Sequence, residues 1–116
     1  MLVKRFAEAK PYEAPNHWGV VGLRLQGFEP GGPTNQWVGF SQFLPGGGAG
    51  PDSTPFEKIY VVLEGRMTVI VDGKETLLER MDSCVIAAGE VRKIENREND
   101  VCKMLVVIPY PPGAKP

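Results

Sequence analysis

Turn-forming residues cut this chain into short pieces, and that limits what it can fold into. Fourteen glycines and eleven prolines fall among 116 residues. No apolar pattern with the 3.6-residue period of a helix persists across these interruptions. Between them lie apolar runs: Trp18 to Gln26, Gln36 to Leu44, Phe56 to Leu63, Arg66 to Val71, Lys74 to Leu78, Ser83 to Ala87, Val91 to Glu95 and Val101 to Ile108. Each has the length of a strand. Asp72-Gly73 joins two of them and suits a type I′ turn, which needs positive φ at both central residues. The pattern predicts an all-β sandwich or barrel.

The remaining segments follow from the same reading. Residues 1–17 are polar, broken by Pro11 and Pro15, and predict an arm against the barrel. Pro45 to Pro51, with five small residues inside it, predicts a flexible loop at the barrel mouth, placed to act as a lid. The tail from Pro109 to Pro116 holds too many prolines to continue a ladder. There is no internal repeat, and 116 residues suffice for one domain with its own core.

Composition excludes several classes of function. A net charge of −1 gives nothing for nucleic acid or an anionic membrane to hold. The first ten residues contain no apolar stretch of a secretory signal, and no run approaches the ~20 residues of a membrane helix. Cys84 and Cys102 lie in apolar runs and predict buried, reduced thiols in a cytoplasmic protein.

Two stretches carry more than fold. In the first, five residues separate Gly46 from Asp52, one lies between Asp52 and Thr54, three between Thr54 and Lys58, and six between Lys58 and Gly65. The second runs from Met81 to Asn96, with Ala87, Gly89 and Arg92 at fixed intervals within it. Their spacing, together with the ending Tyr60-Val-Val-Leu-Glu-Gly65, resembles the two sequence motifs of the cupins, over roughly Gln36 to Pro109. The resemblance implies a jelly-roll barrel, the cupin-type double-stranded β-helix. It also implies that the usual metal ligands are replaced. Asp52 and Thr54 stand where the family has two histidines, Lys58 where it has a glutamate, and Arg92 where it has the last histidine. Met81 takes the place of a glycine and Ala87 that of a proline, while Gly89 and Asn96 fit.

Side chains alternate faces along a strand, so Lys58, Tyr60 and Val62 share one face. The resemblance turns that face, with Arg92 and Ile94, into the barrel, and puts Asp52 and Thr54 at its mouth. The expected pocket holds two cations, a carboxylate, a hydroxyl and a phenol, walled by Val62, Ile94 and Phe56. Such a set does not suit a transition metal, which wants imidazole and carboxylate together, so no transition metal and no other cofactor is expected; Asp52 with Glu57 or Glu90 leaves open a weakly held, oxygen-ligated ion. His17, the one histidine, is read as an arm residue beside Trp18.

Arg92 and Lys58, with Thr54, are the expected binding groups for a small anionic metabolite. The alternative is a structural plug in which Asp52 pairs with Lys58 or Arg92, or in which Glu57, Glu64 or Glu90 balances them. For catalysis the candidates are Lys58 as proton-transfer group, with Tyr60 and Asp52. Burial and the nearby Arg92 both lower a lysine pKa, while Asp52 would raise it. The glycine run Gly46–Gly50 has no Gly-Lys-Ser/Thr ending and precedes a strand, so it is not a phosphate loop. Ser41 and Ser53 have no histidine base at motif spacing. Two functions fit: a metal-independent isomerase, lyase, cyclase or hydrolase acting on a carboxylate, enolate or lactone, or a barrel that only binds a small acid. The resemblance implies pairing through the sheets, and a homodimer is expected, with the apolar strand Met104 to Ile108 as material and the arm around Tyr12 to Trp18 contributing to the interface.

Overall fold

A computed structural model describes residues 1–112 and places nine strands in them. They are β1 (Lys10–Tyr12), β2 (His17–Gln26), β3 (Gln36–Asp52), β4 (Lys58–Glu64), β5 (Met67–Val71), β6 (Lys74–Leu78), β7 (Ser83–Ile86), β8 (Arg92–Glu95) and β9 (Cys102–Pro109). All pairings are antiparallel, in the order β6-β5-β8-β3-β9-β4-β7, with β1 on β2 and β2 on β3. The result is a nearly closed β-barrel of the jelly-roll kind expected from the sequence. No helix among the described residues is long and apolar enough to cross a membrane.

Strand β3 organises the barrel. Along one edge it pairs with β2 from Val38 to Ala49. Its other edge is shared: Gln36 to Phe43 pair with β9, and Gly48 to Asp52 pair with β8. The chain therefore passes from one wall to the other without leaving the ladder. This corrects the expectation of a flexible loop over Pro45 to Pro51. The glycines are there because backbones cross closely. A Cβ on Gly47 would stand 2.3 Å from the Gly19 carbonyl oxygen, and one on Gly48 would stand 2.3 Å from that of Ile94. Asn96 braces the passage from inside, its buried amide donating to the carbonyls of Phe43, Leu44 and Asp100.

The core draws on β3, β4, β5, β8 and β9: Phe43, Val62, Met67, Ile94, Cys102 and Met104 are fully buried. Cys84 and Cys102 are free, and burial pushes the Cys102 thiol up to about 11. The Asp72-Gly73 turn forms as its residues require, with φ of 51° and 73°. Met81 holds the left-handed φ of 68° that a glycine would take without cost. The segment read as an arm is tied down. A 3-10 turn, Phe6–Glu8, sets the Phe6 ring edge-on to Phe40 at 5.6 Å, and β1 extends the sheet. The tail also starts later than expected: Pro109 still pairs with Gln36, and the Tyr110 hydroxyl donates to the Pro33 carbonyl. Residues 113–116 of that tail lie outside the described residues.

Candidate functional site

Alternation along β4 buries Lys58, Tyr60 and Val62 and turns Ile59 to the outside. The same alternation on β8 buries Arg92 and Ile94. Lys58 is 3% exposed and Tyr60 and Arg92 are each 4% exposed. Strands β4 and β8 are not neighbours in the sheet, so the two sets meet across the barrel. Lys58, Tyr60, Arg92 and Ile94 border a cavity of about 290 Å³, together with Asp52, Thr54, His17, Tyr12, Glu13, Phe43 and Met104. The five site residues expected from the sequence are thus brought together. Of the expected walls, Ile94 borders the cavity, whereas Val62 is absorbed in the core and Phe56 is outside the lining.

Arg92 Nε donates to the Tyr60 hydroxyl at 2.7 Å. Arg92 Nη1 is buried and has no partner among the described residues. Arg92 and Asp52 are register partners between β8 and β3, yet the side chains form no ion pair. Asp52 is exposed, and its Oδ1 accepts instead from the Ser53 amide at 2.9 Å. Lys58 likewise has no carboxylate partner among the described residues. The salt-bridged plug is therefore not formed. Glu64 pairs with Lys103, Glu90 accepts from the Ala87 amide, and Glu57 is exposed. Thr54 sits at the cavity but donates its hydroxyl to the Phe56 carbonyl at 2.7 Å.

Burial and then the Arg92 charge push the Lys58 ammonium down to about 8, against a smaller opposing pull from Asp52. Burial raises the Tyr60 phenol, and the neighbouring Arg92 guanidinium resists that rise.

His17 was assigned to the arm, and the structure corrects this. It opens β2 and borders the cavity. Its Nδ1–H donates to the Pro15 carbonyl at 2.7 Å, which leaves Nε2 as the acceptor of a neutral ring. Burial lowers its pKa, and Arg92 and Lys58 push it further the same way. The turn at Asn16, with φ of 56° and an amide donating to the Pro51 carbonyl, brings it there. No sequence spacing signals this, because the contact depends on how residues 10–17 fold back. The donor set does not fit a transition metal. Among the described residues no three His, Cys, Asp or Glu side chains gather, and two cations stand at positions that the metal-binding motif gives to ligands.

The chain that builds this barrel matches the Cupin domain family over residues 39–108. The chain belongs to that family. It is 44% identical over 111 residues, 96% of each chain, to the protein named Beta-D-galactosidase Rv1717 of Mycobacterium tuberculosis (strain ATCC 25618 / H37Rv). It is 35% identical over 69 residues to the Tetracenomycin polyketide synthase protein TcmJ of Streptomyces glaucescens, covering 59% of this chain and 46% of that one. The solved structure of the polyketide cyclase RemF from Streptomyces resistomycificus superposes with a TM-score of 0.82, covering 94% of this chain and 79% of that one. At 21% identity that likeness concerns the fold alone.

Proposed function

We propose that the barrel is the active site of a metal-independent enzyme that moves a proton on a small anionic metabolite, a carboxylate, enolate or lactone. The observation that carries this reading is the pairing of a buried, unpartnered Arg92 Nη1 with a Lys58 held near pKa 8 in the same cavity. An oxygen anion of the ligand supplies the partner that Arg92 lacks. Neutral Lys58 takes the proton from the carbon next to the carbonyl, and its pKa is close to the working range of a general base. Arg92 uses a lone pair of the Tyr60 oxygen, so the Tyr60 O–H remains free to donate to the developing oxyanion. Asp52, exposed at the mouth, exchanges the proton with solvent. Isomerisation, elimination and ring closure or opening all follow from such an enolate. No step needs a metal or an organic cofactor.

A thermal-shift screen of keto acids, hydroxy acids, uronates and lactones, followed by proton-exchange NMR in D₂O on the hits, tests this. Lys58→Met should abolish exchange while the ligand still stabilises the protein, and Arg92→Met should abolish the stabilisation. Stabilisation indifferent to Arg92, or full turnover in Lys58→Met, sinks the reading. About one transition-metal ion per chain after dialysis, lost in Asp52→Asn, sinks metal independence.

One observation favours a second reading. The relative that is 44% identical along the whole chain is named a β-D-galactosidase. Glycoside hydrolysis ordinarily uses two carboxylates, roughly 5–10 Å apart, on either side of the bond. Glu13 and Asp52 are the two carboxylates bordering the cavity. Release of nitrophenol from nitrophenyl β-D-galactoside, lost in both Glu13→Gln and Asp52→Asn, would establish this reading over the first. A third outcome, binding without turnover, would make the barrel a ligand sensor.

We also propose a homodimer in the cytoplasm. Apolar Ile59 and Val85, partners across β4 and β7, lie on the outer face and support self-association, and the free thiols of Cys84 and Cys102 suit a reducing compartment.

A further inference from the structure

The cavity has a second end that the proton-transfer reading leaves unused. Arg24 of β2 borders it, as do Trp37, Phe28 and Tyr12. The Arg24 guanidinium lies 4.2 Å from the Phe28 ring centre, 5.0 Å from that of Tyr12 and 5.8 Å from that of Trp37. Those rings hold one another edge-on: Tyr12 on Trp37 at 5.2 Å, Phe28 on Trp37 at 5.5 Å and Tyr110 on Phe28 at 4.9 Å. The rings pack closely, but the polar groups of the cage are not satisfied. Arg24 Nε and Trp37 Nε1 are buried without partners among the described residues. The carboxylate nearest in sequence, Glu29, is committed to Lys4 at 3.1 Å and to the Gly27 amide. Buried donors normally find acceptors, so this end is built to receive one.

Register fixes how the two ends are related. Arg24 is the partner of Gly39, Gly39 of Val106, and Val106 of Tyr60. Arg24 and Tyr60 therefore stand in one row, three inter-strand steps apart, about 14 Å from backbone to backbone. Between them Gly39 contributes no side chain, and the Tyr12 hydroxyl occupies the space where its Cβ would stand. Apolar Val106, Met104 and Ile108 border the cavity along with the two polar ends.

We propose that Arg24 and Trp37, framed by Tyr12 and Phe28, form a second subsite that binds an oxygen acceptor on a flat ring of the ligand. The ligand then spans the barrel, with its anionic head at Arg92 and Lys58 and an oxygenated ring at Arg24. This rests on the head-group assignment above and adds the substrate class: a flat ring system with oxygens at both ends. Binding by calorimetry tests it with three probes: 6-hydroxy-2-naphthoate, 2-naphthoate, which lacks the far oxygen, and pyruvate. Wild type should bind the hydroxynaphthoate about tenfold more tightly than the naphthoate, as a hydrogen bond to a charged group predicts. Arg24→Met should erase that difference and leave pyruvate unchanged. Trp37→Phe, which keeps a ring and removes the donor, should narrow it and serves if Arg24→Met does not fold. Equal weakening of all three ligands by Arg24→Met makes the residue structural and overturns the proposal, as does a naphthoate pair that folded wild type does not distinguish or does not bind. If the Arg24-dependent difference persists while Arg92→Met changes nothing, the subsite stands and the head-group assignment falls.

Discussion

The Arg92 guanidinium and the Tyr60 hydroxyl meet at 2.7 Å although their strands, β8 and β4, are separated in the sheet by β3 and β9. The bond crosses the barrel interior. It engages Arg92 through Nε, while Nη1 stays buried without a partner among the described residues. Such an arrangement is costly to the fold and useful to a ligand.

From this, Tyr60→Phe and Arg92→Met should act in opposite directions on stability. The first strands the Arg92 Nε beside Nη1 and should cost roughly 1–3 kcal/mol in chemical denaturation. The second removes the unbalanced charge with its donors and should leave stability unchanged or raise it. A large loss in Arg92→Met would mean that the guanidinium is a structural keystone.

Lys58 makes stability depend on pH in the alkaline range. Its folded pKa is about 8 against an ordinary value of 10.5. Below 8 both folded and unfolded chains carry the proton, and the full cost of the buried ammonium is present. Between 8 and 10.5 the unfolded chain binds more protons, so wild-type stability rises with pH relative to a variant without the lysine. Lys58→Met should therefore gain most on wild type at pH 7, with its advantage shrinking as the pH rises from 8 to 10.5. A gap that does not change with pH contradicts the lowered pKa. Turnover through neutral Lys58 should climb to a plateau above about pH 8.

Backbone substitutions separate a strand from a loop at the glycine run. Gly48→Ala should destabilise by several kcal/mol, because the Ile94 carbonyl oxygen occupies the space. Gly31→Ala, at φ of 79° with open surroundings, should cost only the ~1–2 kcal/mol of a left-handed conformation. Met81→Gly should stabilise by up to about 1 kcal/mol, since Met81 is 68% exposed at φ of 68° and has strain to release and little packing to lose. Equal losses for Gly48→Ala and Gly31→Ala in thermal melts would return the run to a pliable loop.

Assembly is tested on the outer face. Sedimentation at tens of micromolar, a concentration on the order of that which reveals weak interfaces, should give a dimer. Replacing Ile59 and Val85, 42% and 56% exposed, by lysine should give a folded monomer. A wild-type monomer under these conditions rules the dimer out.

The all-β architecture was readable in the chain because its signals are local. Strand length, the Asp72-Gly73 turn and the alternation that buries Lys58, Tyr60 and Arg92 each depend on a few consecutive residues, and the two motifs set the intervals between them. Alternation grouped the residues of one face, and the resemblance to the cupin motifs turned that face into the barrel. Three things were not readable in this way. The buried glycines read as a loop because Gly and Pro punctuate loops far more often than they permit close crossings, and the crossing partners, Gly19 and Ile94, are remote in sequence. His17 read as an arm residue because its place depends on the fold of residues 10–17 over the barrel. Arg24 and its aromatic cage carried no motif at all. Pairwise contacts such as Arg92 with Tyr60, and the failure of Asp52 to pair with either cation, are decided by a few ångströms of side-chain placement across strands that only the closed barrel brings together. Short-range backbone preference thus specified the strands, while long-range packing specified which charges were left unpaired.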